Sequence, residues 1–371
     1  MSGFTKKVQL VSKLPAFHAF HSLGMPPLLP VNITISLLYS CNSRCKTCNV
    51  YLKRVDNFTL EEYDKLFHSL GKAPYWFTFS GGEPFLRQDI AEIIKTAYKW
   101  CEPGIINIPT NGSLYHRIPG LAEEIAANCP NSELIINLSL DQVGKKHDEI
   151  RGFPKNFEKA MKTYEGLKEL RKYPNFTVGI HTVISNFNVS DFKEIYDELI
   201  KLEPDSYITE IAEERVELGT IGEGITPTHA KYAPAIDYLR EQMKKKKTDG
   251  VAKIAQAFRY EYYDLVKNIL LQQTQVIPCF AGILSAQVSP DGEVWPCCIR
   301  GDSMGNLREN NYDFKKVWQS GQAKRIRKSI KAKECHCPLA NASYTNMLAS
   351  PKTVYKVLKN IKELIPVLEE L

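Results

Sequence analysis

The sequence predicts an α/β fold built on a parallel sheet. Six apolar segments rich in β-branched and aromatic residues alternate with segments of helical periodicity, and strands in such βα repeats pair in parallel. The predicted strands are 31–39, 75–80, 105–109, 133–140, 176–184 and 206–211. The predicted helices lie near 59–70, 89–101, 119–128, 156–171 and 189–202. Thr59 and Ser190 precede two of these helices and are predicted N-caps.

Composition indicates a soluble globular protein with a sizeable core, since 43% of its 371 residues are hydrophobic and 24% are charged. The net charge of +6 permits contact with phosphates or an anionic membrane surface without requiring it, and a nucleic-acid partner is not expected. The sequence has no run of 18 apolar residues, so no transmembrane helix is expected. Ten cysteines without a signal-peptide pattern indicate metal or redox use in the cytoplasm rather than disulfides. Two of the ten, Cys101 and Cys129, fall on predicted helices as buried structural thiols.

Three cysteines, Cys41, Cys45 and Cys48, follow the first predicted strand at offsets 0, 4 and 7. Iron–sulfur clusters are held by cysteine thiolates, usually four for each [4Fe–4S] unit. Three thiols without a fourth nearby therefore indicate a cluster with one iron open to a substrate or cosubstrate. A zinc knuckle lacking one ligand and a chance grouping are the alternatives.

The next strands end in glycine and polar motifs, namely 80–84 (Ser-Gly-Gly-Glu-Pro), 109–112 (Pro-Thr-Asn-Gly) and 138–141 (Leu-Ser-Leu-Asp). Parallel βα repeats place their chemistry at the carboxyl ends of the strands, where these motifs meet the cysteine loop. Each motif alone is weak evidence, because Gly-Gly and Asn-Gly also mark ordinary turns. Together with the cysteine loop, they make four motifs at four successive strand ends, and this combination predicts a binding site there.

Together, the Cys-x3-Cys-x2-Cys loop, the Gly-Gly-Glu-Pro stretch and the Ser-x-Asp strand end resemble the radical S-adenosylmethionine (SAM) superfamily over residues 31–211. The resemblance implies a partial (β/α)6 barrel. It also implies that Cys41, Cys45 and Cys48 bind a [4Fe–4S] cluster whose open iron holds SAM. One-electron reduction would then release methionine and a 5′-deoxyadenosyl radical, which abstracts hydrogen from a substrate carbon. Thr47 stands where the family usually has an aromatic residue.

The same resemblance assigns SAM-binding residues. In the superfamily one motif contacts the SAM amino group, and the matching residues here are Gly81, Gly82, Glu83 and Pro84. Its strand ends that face SAM correspond to Asn111, Ser139 and Asp141. Arg151 is a candidate for the SAM carboxylate, with a surface arginine at a helix start as the alternative.

Two further residues are candidate catalytic acids or bases. His181 lies on the fifth strand and Glu210 ends the sixth, so both can face the barrel interior. A buried structural histidine is the equal alternative for His181.

A second cysteine set begins with Cys279 and Cys297, which flank a Pro-Asp-Gly turn predicted to form a hairpin. It continues with Cys335 and Cys337 after a basic helix. Four thiols can close the shell of a zinc site, with Cys298 or His336 as substitute ligands. The set also resembles the SPASM/twitch extensions of radical SAM enzymes, which implies one auxiliary [4Fe–4S] cluster on those four cysteines.

The chain is predicted to divide into five parts: an N-terminal arm (1–30), the partial barrel (31–212), a helical connector (213–275), the auxiliary domain (276–345) and a C-terminal amphipathic helix (346–371). The connector starts as an acidic loop and continues as two helices divided near 248–250. The last helix should begin at Ser350 and Pro351. Its apolar stripe comprises Val354, Leu358, Ile361, Ile365 and Leu368. We expect this stripe to dock on the barrel or on a dimer partner, with peripheral membrane contact as the alternative.

The predicted function is therefore an oxidoreductase reaction on a small metabolite such as a sugar or aminoalcohol, either a net oxidation or a rearrangement. Flavodoxin or ferredoxin would supply the electron. Only 30 residues precede the first strand, so we expect no peptide-recognition domain there; a peptide is the second substrate class and a lipid the third. A non-enzymatic alternative is an iron–sulfur electron carrier or a zinc-stabilised binding module. Neither would explain the Gly81–Pro84 and Ser139–Asp141 motifs.

Overall fold

The computed structural model describes residues 10–245 and 250–363, which form eight strands and thirteen α-helices. The strands are β1 (Asn32–Ser36), β2 (Trp76–Ser80), β3 (Ile105–Thr110), β4 (Glu133–Ser139), β5 (Phe176–Ile184), β6 (Ser206–Ile211), β7 (Ser285–Val288) and β8 (Val294–Trp295). The first six match the predicted strands to within a few residues.

These strands form one sheet in the order β6-β5-β4-β3-β2-β1-β7-β8. Strands β1 to β7 run parallel and β8 is antiparallel to β7. The sheet is open between its edge strands β6 and β8, so the predicted partial barrel is confirmed. The register aligns Ser36 with Ser80 and Ser139 with His181, which gathers the strand ends at one mouth.

The Pro-Asp-Gly hairpin forms as predicted, but it is not confined to a separate extension. Its first strand, β7, pairs with β1 from Asn32↔Ser285 to Ile35↔Val288 and so continues the barrel sheet. Sequence periodicity does not reveal this pairing, because the open edge of β1 is a property of the assembled sheet. As a result, the chain carrying the second cysteine set is tied directly to the barrel.

Most helices lie on the outside of the sheet, although several of them, including 229–245, 250–272 and 340–348, also contribute side chains to the cavity wall. They are α1 (Leu14–Leu23), α2 (Leu60–Leu70), α3 (Ile90–Cys101), α4 (Ile118–Asn128), α5 (Gly144–Arg151), α6 (Asn156–Lys168), α7 (Phe192–Leu199), α8 (His229–Lys245), α9 (Gly250–Gln272), α10 (Phe314–Trp318), α11 (Gly321–Lys331), α12 (Ala340–Leu348) and α13 (Pro351–Glu363). Thr59 caps α2 as predicted, since its side chain accepts from the Glu62 backbone N–H and Glu62 accepts in return from the Thr59 N–H. The N-cap predicted at Ser190 is wrong. A 3-10 turn (Val189–Asp191) comes first, and Asp191 is the residue before α7.

The alternation along the strands separates a hydrophobic face from a polar one. Ile33 and Ile35 on β1, like Phe77 and Phe79 on β2, are fully buried against the outer helices. The intervening side chains point inward and line a cavity. Polar interior residues join across the strands, as where the Asn137 amide donates to Asn107 Oδ1 at 2.7 Å. The barrel interior is therefore lined by both polar and apolar side chains, and its wall is fixed by the packed core outside it.

A second core forms where α8, α9 and α12 pack beside β6, around Tyr232, Tyr262 and Met347. The C-terminal helix α13 packs on α9 and α12. Its buried face carries Thr353 and Val357, whereas Leu358 is 56% exposed. Leu358 of the predicted stripe therefore does not dock on the described part of this chain, and it lies free, as contact with a dimer partner or a membrane surface would require. Its last two members, Ile365 and Leu368, lie outside the described residues.

The N-terminal helix α1 lies against the main body, where Phe17 and Phe20 are buried beside Phe280 and Leu284. Within the described ranges, no helix has the length and apolar character needed to cross a membrane.

Candidate active site

The loop with the first three cysteines leaves β1 at the mouth of the barrel and is anchored on three sides. The N–H groups of Arg44 and Lys46 donate to the carbonyls of Arg151 and Ile150 at the end of α5, at 2.9 and 2.8 Å. The Asn111 amide donates to Asn42 Oδ1 at 2.7 Å and to Ser43 Oγ at 3.1 Å. The Asn49 N–H donates to the Leu218 carbonyl at 2.8 Å. The loop conformation is therefore set by three separate segments of the chain.

All three thiols, Cys41, Cys45 and Cys48, line the cavity. Burial raises the pKa of Cys41 to about 11 and that of Cys48 to about 12, and it raises the pKa of Cys45 as well. Thiolates here consequently require a nearby positive charge. Such a charge is what a bound iron centre supplies.

The glycine pair after β2 runs directly beside the chain that leaves β1. The Gly82 N–H donates to the Leu38 carbonyl at 2.7 Å, and Gly81 has φ +118°. A Cβ on Gly82 would overlap the Ser40 carbonyl oxygen, and one on Gly81 would overlap that of Leu38. Both positions therefore need glycine to keep this segment against the cysteine loop.

Glu83 ties the ends of β2 and β3 together. Its carboxylate accepts from Thr110 Oγ1 at 2.8 Å and from the Asn111 N–H at 2.8 Å, and it is 1% exposed. Burial raises its pKa to about 6 against the effect of these donors. Pro84 begins a 3-10 turn (Pro84–Leu86) and is not among the residues that line the cavity, unlike the three residues before it.

Arg151 ends α5 with its side chain largely buried, so the alternative of a surface arginine at a helix start is wrong. Its Nε lies 3.0 Å from Asp141 Oδ2, and its Nη1 donates to Cys45 Sγ at 3.8 Å. Its Nη2 is buried without a hydrogen-bond partner. Asp141 also accepts from the Val183 N–H at 2.8 Å. This guanidinium therefore joins the end of β4 to the cysteine loop and keeps one nitrogen free for a ligand.

His147, a residue that the sequence did not single out, supports this pair from behind. Its Nδ1 accepts from the Asp141 N–H at 3.2 Å, and its Nε2 lies 3.0 Å from Asn156 Oδ1. Since Nδ1 accepts, the ring is neutral with its proton on Nε2. Burial and the charge of Arg151 lower its pKa to about 4.

We therefore expect His147 to make the iron-free chain sensitive to acid. Because the folded state holds the ring neutral, unfolding takes up a proton below the ordinary pKa of 6.5, and stability falls as pH drops from 6.5 to about 4. Urea unfolding should show the wild type losing about 3 kcal/mol over this range relative to His147→Asn. His68→Asn, at an exposed histidine of α2, is the control and should keep the wild-type slope. A difference between wild type and His147→Asn that stays constant with pH would contradict the prediction.

The barrel encloses a cavity of about 930 Å³. The predicted site residues that line it are Cys41, Cys45, Cys48, Gly81, Gly82, Glu83, Asn111, Ser139, Asp141, Arg151, His181 and Glu210. Thr47, where the cysteine loop departs from the resemblance, lines it too. One chamber thus brings together residues from six strand ends that are up to 169 positions apart in the sequence.

The cavity wall next to His181 and Glu210 contains further charged residues, Glu213, Arg215 and Glu217, that the sequence analysis did not assign to the site. Arg215 Nη2 lies 3.4 Å from Glu213 Oε2 and 3.9 Å from Glu210 Oε2, and His181 Nε2 lies 3.7 Å from Glu210 Oε1. Glu217 accepts from Ser36 Oγ at 2.8 Å and from the amide of Gln287 on β7. Residues 212–228 were interpreted as an acidic loop. The alternation Glu213, Arg215, Glu217 was the available signal, because alternate residues of an extended chain share a side.

The second cysteine set assembles beyond this wall. Cys297 and Cys337 pack with Cys298 in one cluster around Leu339 and Ala342. The charges of Cys279 and Cys335 act on the pKa of Cys297. Cys298 is different, since it lines the cavity and accepts from Arg215 Nη1 at 3.7 Å.

His336, the other substitute ligand, is exposed and faces Gln273. Across residues 10–245 and 250–363, no three His, Cys, Asp or Glu side chains converge on a point that could hold one metal ion. A [4Fe–4S] cluster binds each thiolate through a different iron, so its ligands need not converge in that way.

Both donor sets fit iron–sulfur clusters. The first supplies three partly buried free thiols and the unpartnered nitrogen of Arg151, and the second supplies four thiols, a full set of ligands. The cysteines at the barrel mouth therefore leave one iron of a cluster without a protein ligand, whereas the second set supplies a ligand for every iron.

Comparisons with known proteins agree with this arrangement. A family model described as the radical SAM superfamily matches residues 35–199, and a SPASM model, described as an iron–sulfur cluster-binding domain, matches 279–338. Fe-coproporphyrin III synthase of Methanosarcina barkeri is 28% identical over 50% of this chain and 44% of its own length. The subtilosin biosynthesis protein AlbA of Bacillus subtilis is 25% identical over 83% of this chain and 65% of its own length. The chain thus spans between 44% and 65% of these relatives.

Solved structures share the fold. Streptococcus suis SuiB, bound to the precursor peptide SuiA, superposes with a TM-score of 0.60 at 16% identity, covering 87% of this chain and 72% of SuiB. At this identity the likeness concerns the architecture, which includes both the open barrel and the region beyond it.

Proposed function

Since this chain belongs to the radical SAM superfamily and carries a C-terminal SPASM domain, we propose that it abstracts a hydrogen atom from a carbon of a small metabolite and oxidises it. The single observation that carries the proposal is the chamber of about 930 Å³. The three-cysteine loop and the SAM-type motifs line it, and so does Cys298, the neighbour of Cys297 in the second cysteine set. A cofactor end and a substrate end thus share one enclosed space.

The cofactor end holds its groups through named side chains. A reduced [4Fe–4S] cluster with bound SAM supplies the 5′-deoxyadenosyl radical. In our proposal Cys41, Cys45 and Cys48 bind that cluster, and the backbone around Gly81 and Gly82 contacts the SAM amino group. The free nitrogen of Arg151 is placed to bind the SAM carboxylate as a charge-assisted hydrogen bond.

Two other residues hold this end in place. Asn111 donates both of its amide hydrogen bonds to the cysteine loop, so its role in our proposal is to hold the loop beside SAM. Glu83 fixes the adjoining ends of β2 and β3. Both keep the cofactor end rigid, which a radical reaction requires to exclude water.

The substrate end lies between the barrel and the SPASM domain. His181 and Glu210 face it and are the candidate acid and base for the substrate. In our proposal Cys279, Cys297, Cys335 and Cys337 would hold an auxiliary cluster, which would supply the electron acceptor that a net oxidation of the substrate requires. Flavodoxin or ferredoxin is the proposed source of the electron that starts each cycle.

SAM cleavage tests the proposal directly. Anaerobic, reconstituted and reduced protein should convert SAM slowly to methionine and 5′-deoxyadenosine, and a fraction of metabolites below the size of peptides should raise the yield of 5′-deoxyadenosine. The control omits the reductant. Consumption of SAM without 5′-deoxyadenosine would overturn the proposal in favour of a non-catalytic iron–sulfur protein.

A peptide substrate is the second candidate, and the relatives favour it. AlbA is named for the biosynthesis of a bacteriocin, and SuiB is seen with a precursor peptide. The same assay separates the two classes, because protease treatment of the extract destroys a peptide stimulus and leaves a small metabolite intact.

A further inference from the structure

The cavity wall of the substrate end carries three carboxylates, Glu210, Glu213 and Glu217, and two guanidiniums, Arg215 and Arg259. Glu217 Oε1 accepts from Ser36 Oγ and from the Gln287 amide. Glu210 and Glu213 remain, and both turn toward a single guanidinium, that of Arg215, at 3.9 and 3.4 Å. At these distances the side chains attract each other as ion pairs, but most of the acceptor positions of the two carboxylates remain without a hydrogen bond.

Both carboxylates have unused acceptor atoms. The Glu213 side chain is 6% exposed, and its Oε1 is buried without a hydrogen-bond partner. Glu210 makes no hydrogen bond in the described part of the chain, and its side chain is 26% exposed to the cavity. The His181 Nε2, 3.7 Å from Glu210 Oε1, is likewise unpartnered. Buried acceptors without donors are costly, so such groups in a cavity wall indicate a ligand that supplies the donors.

The electrostatics are those of two crowded carboxylates. Burial and the charge of Glu210 raise the pKa of Glu213 to about 7 against the pull of Arg215. A raised pKa means that this pair holds a proton readily in the absence of another cation, and a bound cation would take the place of that proton.

We propose that Glu210 and Glu213 together bind a positively charged amino group of the substrate, placing the carbon next to that group toward the cofactor end. The substrate class is accordingly an amine, such as an amino sugar, an aminoalcohol or a lysine-type side chain. The assignment rests on the proposed function, because it takes this chamber as the substrate site. Arg215 holds the two carboxylates in position by its ion pairs.

The test measures binding of matched probes to the reconstituted protein with SAM by anaerobic calorimetry. The first pair is α-N-acetyl-lysine amide and α-N-acetyl-norleucine amide, which differ in the side-chain ammonium. The second pair is glucosamine and glucose. Each amine should bind about tenfold or more tightly than its neutral partner, as expected for charged hydrogen bonds. The double variant Glu210→Gln/Glu213→Gln should remove this preference.

The matched control is Glu223→Gln, an exposed glutamate of the same segment that is absent from the cavity wall, and it should keep the preference. Melting temperatures confirm that each variant is folded, and Glu213→Gln alone provides a second test if the double variant is not. Equal binding within both pairs, absence of amine binding, or unchanged preference in the double variant would each overturn the assignment. If 5′-deoxyadenosine still forms in that case, the proposed function stands and only the amine assignment fails.

Discussion

Replacing Cys45 with serine is expected to abolish 5′-deoxyadenosine formation and to lower the iron content from about eight to about four per chain. Serine keeps the size of the side chain but removes the thiolate that iron requires. Because Cys45 lies in a loop fixed from three sides, no neighbouring cysteine can move in to replace it. Iron analysis and product quantification after anaerobic reconstitution measure both effects.

Two other cysteines provide the controls. Cys101→Ser alters a buried thiol on α3 that contacts the Phe67 carbonyl at 3.5 Å, and it should keep all of the iron. Cys298→Ser should also keep it, because the Cys298 thiol accepts from Arg215 Nη1 and lines the chamber. Full iron and activity in Cys45→Ser would refute the cluster assignment at the barrel mouth. Loss of four irons in Cys298→Ser would instead make that thiol a ligand of the second site.

The sequence predicted the barrel well because each βα unit carries its own local signals. Strands with alternating apolar residues and helix caps such as Thr59 are determined by interactions within a few residues. They can therefore be predicted without knowledge of the rest of the fold. The failures arose where long-range packing decides. The pairing of β7 with β1 depends on which strand edge the assembled sheet leaves open. The exposure of Leu358 depends on which face of α13 meets α9.

The residues of the candidate site also fall into those that the local sequence predicts and those that depend on distant contacts. Residues in contiguous motifs, such as Cys41 to Cys48 and Gly81 to Glu83, were predictable because one stretch of chain places them together. Arg215 and His147 were not, since each matters through a partner distant in sequence. Pro84 belongs to the same motif but starts a 3-10 turn and does not line the cavity, so its part in SAM binding stays a prediction.

Arg151→Met is expected to weaken both the fold and SAM binding. In the folded chain the Arg151 guanidinium lies against the Asp141 carboxylate, which is only 3% exposed. Removing the cation leaves that carboxylate buried beside one backbone donor, the Val183 N–H. Breaking a buried ion pair from one side costs about 3 kcal/mol or more, whereas a surface pair contributes about 1 kcal/mol at most.

The chain contains a matched surface pair for comparison. Arg171 Nε lies 2.9 Å from Asp205 Oδ1, nearly the distance of the Arg151 pair, but its side chain is 38% exposed. Urea unfolding should therefore show a loss several-fold smaller for Arg171→Met than for Arg151→Met. Asp141→Asn/Arg151→Met should be more stable than Arg151→Met alone, because the double variant leaves no unpaired charge.

The SAM measurement separates ligand binding from stability. The buried Nη2 of Arg151 has no partner within the protein, so we assign its donor to the SAM carboxylate. Calorimetry should then show SAM affinity falling about a hundredfold in Arg151→Met, the loss expected for a charge-assisted pair. Arg151→Lys keeps the charge but not the second nitrogen, so its SAM affinity should lie between that of the wild type and that of Arg151→Met. If Arg151→Met loses stability while binding SAM as the wild type does, Arg151 holds the cysteine loop in place and another donor binds the carboxylate.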